Sequence, residues 1–218
     1  MKHPIITATL AILSAVSSLQ AAWIPVPSLP ATITKPGEYY FVGNMYEPTP
    51  SLTGAPAITV NAPTGAVVID MRGFTLTGPE YYGSASYGIL IQSNNVTIQN
   101  GTIEGFMYQV EAGVQNQYPT VSITGVNLRN LYFTACGECS LSFSNVNSSV
   151  VKDCTLTFVS TGFSGTPGPL IQDGGSTTGN SYINDKFVGK SFSSSTDTDL
   201  CAITSVANGY TINVVPGK

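Results

Sequence analysis

Charge is scarce in this chain: Asp, Glu, Lys and Arg make up 9% of its 218 residues, against roughly 25% in an average soluble domain. An intrinsically disordered chain shows the reverse, many charges and few apolar residues, so a folded core is expected. The net charge is −4 and the sequence pI 4.7. Nucleic acid and anionic membrane surfaces are thereby disfavoured as partners, since both call for basic patches. Histidine is almost absent. The single imidazole, His3, lies in a segment that reads as a leader, and its removal leaves none for general-base catalysis, triad chemistry or metal ligation. No cofactor or metal site is expected.

The leader has a short basic start, Lys2 and His3, a mostly apolar stretch over residues 5–19, and the small residues Ala21 and Ala22 at its end. That stretch is too short to span a bilayer, and no second one follows. No Cys stands near the junction to carry a lipid. Residues 1–21 are therefore expected to be a secretory signal and residues 22–218 a single domain, secreted or periplasmic. The four cysteines are Cys136, Cys139, Cys154 and Cys201. In an exported protein an even number favours structural disulfides, with three pairings open, or plain thiols. Cys136-Gly-Glu-Cys139 has the spacing of a redox or zinc half-site, but lacks the helix start or second ligand pair those roles require.

What is present is repetition. Five segments share a core: Val67-Val68-Ile69-Asp70-Met71-Arg72-Gly73, Val96-Thr97-Ile98-Gln99-Asn100-Gly101, Val126-Asn127-Leu128-Arg129-Asn130-Leu131, Val150-Val151-Lys152-Asp153-Cys154 and Tyr182-Ile183-Asn184-Asp185-Lys186. With Asn100, Asn130, Asp153 and Asp185 as reference points, the residue two before each is apolar (Ile98, Leu128, Val151, Ile183). So is the residue three after each (Ile103, Phe133, Leu156, Val188). Alternation on either side of an Asx residue describes two short strands and a tight bend, because Asn and Asp tolerate the left-handed backbone region. The first segment fits best with Gly73 on Gly101 and Arg72 in the Asn place, with a one-residue irregularity. A third strand precedes each unit, at residues 57–61, 88–92, 121–124, 141–144 and 169–172. The expected fold is all-β: a right-handed parallel β-helix of about five to six coils, with three short sheets and terminal caps. Pro25, Pro27, Pro30 and Pro36 mark the start of one cap, and residues 209–215 read as a terminal strand.

Ile33-Thr34-Lys35-Pro36-Gly37-Glu38-Tyr39-Tyr40, Ile69-Asp70-Met71-Arg72-Gly73-Phe74-Thr75-Leu76 and Asn95-Val96-Thr97-Ile98-Gln99-Asn100-Gly101-Thr102-Ile103 resemble bacterial β-helix repeat proteins of the pectin lyase-like superfamily. The resemblance covers roughly residues 32–190 and is one of fold. It implies that Asn100, Asn130, Asp153 and Asp185 form a stacked ladder. It leaves function open, because that superfamily contains polysaccharide lyases, glycoside hydrolases, epimerases, tailspikes and proteins without known activity.

Hydrolysis of a glycoside requires two carboxyl groups flanking the bond. The outward positions of the first strands (Thr59, Leu90 or Gln92, Ser122, Thr124, Ser142, Ser144, Gln172) contain no carboxylate, and Asp173 stands alone beside the last. Glu80, Glu104 and Glu111, on two neighbouring loops, are the candidate acid and base. Arg72 with Asp70 suits a lyase or a local ion pair; Arg129 and Lys152 are expected to face outward on the middle sheet. The same loops gather Tyr81, Tyr82, Tyr87, Phe106, Tyr108 and Tyr118, rings that either pack the loops down or present a surface to sugars. The reading favoured here is a non-catalytic exported protein that binds a polysaccharide or another cell-surface component through these rings. A small polysaccharide lyase or glycoside hydrolase and a structural or assembly element of the cell surface are the alternatives.

Overall fold

A computed structural model of the chain describes residues 22–47, 55–79, 86–113, 122–134, 139–157, 171–174, 179–188, 203–204 and 211–216. Within them every regular element is a strand and every strand pairing is parallel. The opening winding holds β1 (Ile24–Pro25), β2 (Ala31–Ile33), β3 (Gly37–Tyr40) and β4 (Met45–Tyr46). Next come β5 (Ile58–Val60), β6 (Val67–Asp70) and β7 (Thr75–Thr77), then β8 (Tyr87–Ile91) and β9 (Val96–Glu104). They are followed by β10 (Tyr108–Ala112), β11 (Ile123–Thr124) and β12 (Asn127–Thr134). A further winding contains β13 (Cys139–Ser144), β14 (Val146–Asn147), β15 (Val150–Lys152) and β16 (Thr155–Thr157). The last strands are β17 (Ile171–Gly174), β18 (Ser181–Val188), β19 (Ile203–Thr204) and β20 (Thr211–Pro216).

These strands stack into a parallel solenoid of about four turns. That is fewer than the five to six coils expected. The three sheets expected are, by hydrogen bonding, an eleven-stranded sheet, a seven-stranded sheet and the β11–β14 pair. The cause is the tight bend itself. At Asn100 and Asn130 a single residue turns the chain, so β9 and β12 pair on both sides of it and two expected sheets merge.

The core follows from strand alternation. Ile69, Ile98, Leu128, Val151 and Tyr182 stack in register, as do Leu76, Ile103, Phe133 and Leu156, and each is buried. On the seven-stranded sheet Ile58, Ile89, Val110, Leu141 and Ile171 form the facing row. Each fully buried side chain of this kind contributes about 1.5–3 kcal/mol. No single winding closes a core alone, so stability is shared between neighbours.

Three expectations about register are corrected. The part of segment 121–124 that is described, 122–124, does not belong with the first strands: β10 pairs with both β8 and β13 in the seven-stranded sheet, while β11, among the described residues, pairs with β14. Asp185 is not in the bend column. β15 and β18 pair with an offset of 31 residues, which sets Asn184 (φ 56°) over Asp153 (φ 55°) and turns Asp185 inward. Arg72 does occupy a left-handed position (φ 53°), but with Gly73 (φ 82°) it forms a two-residue turn closed by Phe74 N–H to Met71 O at 2.8 Å. Both central residues having positive φ is the type I′ signature. The partner offset falls from 29 to 27 residues across it, so the irregularity is two residues.

The ladder is chemically directional. Asn130 Nδ2 donates to Asn100 Oδ1 (3.3 Å) and Asn100 Nδ2 to Asp70 Oδ1 (3.2 Å); separately, Asn184 Nδ2 donates to Asp153 Oδ1 (2.6 Å). Each run ends on an Asp because a carboxylate accepts but has no proton to pass on. A second polar column, unforeseen, lines the opposite corner. Ser149 Oγ accepts from Val126 N–H (2.9 Å), Asn180 Oδ1 from Ser149 N–H (3.0 Å), and Asn180 Nδ2 donates to Val146 O (2.9 Å). These buried groups satisfy backbone that no strand reaches.

Candidate functional site

The outer face of the seven-stranded sheet is built from alternate residues of its strands. Register places Thr32, Thr59, Leu90, Glu111, Ser142 and Gln172 in one row. Thr32 is exposed, Thr59, Leu90 and Glu111 are half-buried, and Ser142 is nearly covered. Glu111 stands between Leu90 and Ser142, so this face does carry a carboxylate. The expectation of an acid-free first sheet fails because β10, and not the segment 121–124, stands between β8 and β13. The sequence held the signal. Tyr87-Gly88-Ile89-Leu90-Ile91 and Tyr108-Gln109-Val110-Glu111-Ala112 share a tyrosine at the first position and apolar residues at the third and fifth.

Strict alternation breaks at the start of both strands. Gly88, Ile89, Gln109 and Val110 are all buried, while Tyr87 and Tyr108 are half-buried. Two consecutive inward residues return the tyrosines to the outer side, as in a bulged strand. Their rings lie in register, with centroids 5.2 Å apart and planes inclined by 15°, close to the spacing of adjacent strands. Gln109 is held beneath them: its Nε2 donates to Ile103 O (2.9 Å) and to Thr134 O. Gln109 Oε1 and the neighbouring Ser140 Oγ are buried without a protein partner.

Of the other predicted residues, Phe106 is 1% exposed and belongs to the core rather than to any surface. Glu104, at the end of β9, accepts from Thr77 Oγ1 at 3.1 Å. It lies on the eleven-stranded sheet and Glu111 on the seven-stranded one, across the bend 105–107. Glu80, Tyr81, Tyr82 and Tyr118 lie outside the described residues, as does the leader, 1–21. The structure thus brings together Tyr87, Tyr108 and Glu111 on one sheet. Among the described residues, no three His, Cys, Asp or Glu side chains come together as a metal site requires. No helix among them is long and apolar enough to cross a membrane.

The cations gather elsewhere. Arg129 and Lys152 are register partners on the outer face of the eleven-stranded sheet, both exposed. Lys152 Nζ lies 3.8 Å from Asp153 Oδ2. Arg72 does not ion-pair with Asp70 through its side chain. Its backbone N–H donates to Asp70 Oδ1 (2.8 Å), while the guanidinium lies 3.7 Å over the Tyr40 ring and 5.7 Å from that of Trp23.

Two buried titratable groups meet in the last windings. Burial pushes the Cys154 thiol up to about 12, and burial pushes the Asp185 carboxyl up from 3.8 to about 6, opposed by the hydrogen bond from Cys154 N–H (2.8 Å). Asp185 Oδ2 has no hydrogen-bond partner. A thiol this reluctant to ionise is a poor nucleophile. Cys139 is also buried and its Sγ donates to Leu141 O (2.8 Å). No bridge joins Cys139 to Cys154; Cys136 and Cys201 lie outside the described residues.

Comparison with known proteins returned no family model that matches the chain, and no curated protein or solved structure that matches it.

Proposed function

We propose that this chain is an exported, non-catalytic β-solenoid that binds a carbohydrate polymer on the outer face of its seven-stranded sheet, around Tyr87 and Tyr108. The observation that carries the reading is the pair of in-register rings, 5.2 Å apart, at the start of β8 and β10, beside a row in which Thr32 is exposed and Thr59, Leu90 and Glu111 are half-buried. A tyrosine ring offers an apolar surface to the C–H face of a sugar and a hydroxyl to its edge. A flat parallel sheet repeats such contacts at a fixed interval, which suits a polymer better than a single small ligand. Kinship with the pectin lyase-like superfamily, resting on the Asx-bend repeats, belongs to the same proposal and agrees with a polysaccharide partner. Turnover is not part of it. Glu111 is the one carboxylate in the described outward row, and hydrolysis requires a pair.

Co-sedimentation with a panel of insoluble polysaccharides tests this. The parent chain is expected to be retained by at least one polymer, and Tyr87→Ala with Tyr108→Ala to weaken retention about tenfold or more, at about 1–3 kcal/mol for lost aromatic contacts. Circular dichroism checks that the strand signal survives. Unchanged retention in the double variant, or no retention of the parent, contradicts the proposal.

A further inference from the structure

We infer that the last winding is an acid-closed latch. With the Asp185 carboxyl protonated, β18 and β20 stay packed on the winding before them; with it ionised, they open from β15 and β16.

The inference is independent of the glycan reading and starts from position. Leu131, Cys154 and Asp185 take the same inward place in successive windings, the first residue after the bend or beside it. Asp185 is 0% exposed. Its Oδ1 accepts from Cys154 N–H at 2.8 Å, and its Oδ2 has no hydrogen-bond partner. A buried carboxylate stays ionised only beside a counter-charge or several donors.

The surroundings supply no counter-charge. The strands paired with β18 are β15, β16 and β20. β15 brings Lys152, which is exposed and lies 3.8 Å from Asp153 Oδ2. The bend brings Asp153, a second acid, and the buried Cys154, whose thiol is pushed up to about 12 and stays neutral. Thr155–Thr157 and Thr211–Pro216 contain no titratable side chain. On β18 itself Tyr182 is buried and Lys186 exposed. Burial therefore pushes the Asp185 carboxyl up to about 6; backbone hydrogen bonds at Cys154 and Ile183 oppose the rise, and Asp153 adds to it.

Opening falls on this winding rather than on the whole stack for two reasons. The pairing of β18 with β20 slips by one residue between Ile183 and Asp185, at the acid itself. Among the described residues, only β20 lies beyond β18, so the last winding has a neighbour to hold it on one side, whereas the middle windings are held on both. Because the folded carboxyl holds its proton more tightly than an unburied one, closure is complete below pH about 4 and is lost as pH rises through about 6.

Hydrogen exchange of the full chain, followed by peptide and corrected for intrinsic rates, tests this between pH 4 and 7. The opening equilibrium read from β18 and β20 is expected to rise about fiftyfold over that range. At pH 7 these strands are expected to exchange at least about tenfold faster than β9 and β12, which stay closed while the end opens. In Asp185→Asn the rise is expected to shrink to less than about threefold. A flat opening equilibrium in the parent chain overturns the inference whether or not the variant folds, and an equal rise in Asp185→Asn overturns it too. Exchange of β9 and β12 in step with β18 and β20 at every pH also overturns it, because the chain then opens as a whole.

Discussion

The middle windings and the last one solve the same bend differently. At Asn130 the residue after the bend is Leu131, which turns into the core; one winding on it is Cys154, and at the end Asp185. The bend residue stays polar throughout, whereas the inward residue goes from apolar to thiol to carboxyl. The exposed ladder makes the turn, and the buried neighbour sets what the winding costs. In the middle the buried side chain adds to the core. At the end a carboxyl with one unpartnered oxygen sits at the same depth, which burdens the winding at neutral pH.

The largest expected effect comes from moving the end's chemistry into the middle. Leu131→Asp places an acid in a fully packed winding and is expected to destabilise by about 4 kcal/mol or more, enough to abolish cooperative unfolding in a denaturant titration. Next is the reverse change at the end. Burial pushes the Asp185 carboxyl of the folded chain up to about 6, from 3.8 for an unburied Asp. The folded state therefore holds its proton more tightly. The associated stability is fully present below pH about 4 and is lost as pH rises through about 6, a difference of at most about 3 kcal/mol. Asp185→Asn is expected to raise the melting temperature at pH 7 and to flatten the profile between pH 4 and 7; an unchanged slope contradicts the assignment of that acid.

Close approach between windings gives an intermediate effect. A Cβ on Gly88 would lie 2.5 Å from Gln109 O and 3.1 Å from Phe106 Cδ2. Gly88→Ala is expected to cost about 1–3 kcal/mol in chemical denaturation, as overpacking does. Within the ladder, Asn130→Ala loses a side-chain hydrogen bond and puts a Cβ with no local compensation at φ 49°, for about 1–2 kcal/mol. Asn130→Gly keeps the backbone relaxed and is expected to cost less, so the difference between the two variants isolates conformation from bonding. The smallest effect belongs to the opening winding. Replacing Arg72 by Lys retains the charge but not the flat contact on Tyr40, and is expected to cost under about 1 kcal/mol. Unaltered stability would show that the stack is passive.

Much of this fold could be read from the sequence because the bend demands a particular chemistry. A left-handed residue flanked by inward aliphatics leaves a mark at Asn100, Asn130 and Asp153 that survives changes in loop length. The mark fails where two residues could each serve. Asn184 and Asp185 are both Asx, and Ile183 and Val188 supplied plausible inward partners for the wrong one; Tyr182, buried at 0%, was the better candidate for the row. The first sheet was harder. Its strands are short, and the intervals between its partners vary from 21 to 31 residues from β8 to β13. A segment such as 121–124, with alternating Val, Ser, Ile and Thr, could therefore stand in for β10. Phe106 is a different case, since a ring beside tyrosines in sequence reads as part of their surface, whereas its depth puts it in the core.

The stacking of outward residues can be measured by thiol trapping with a short bifunctional reagent. Cysteine pairs at Gln99 with Arg129, Arg129 with Lys152, and Lys152 with Ile183 occupy register partners, about 5 Å apart along the sheet. Each is expected to be bridged rapidly relative to the parent chain, whereas Gln99 with Lys152, two windings apart, is not. Bridging of Lys152 with Asn184 in preference to Ile183, or no bridging in any of the three pairs, would contradict the solenoid and its register.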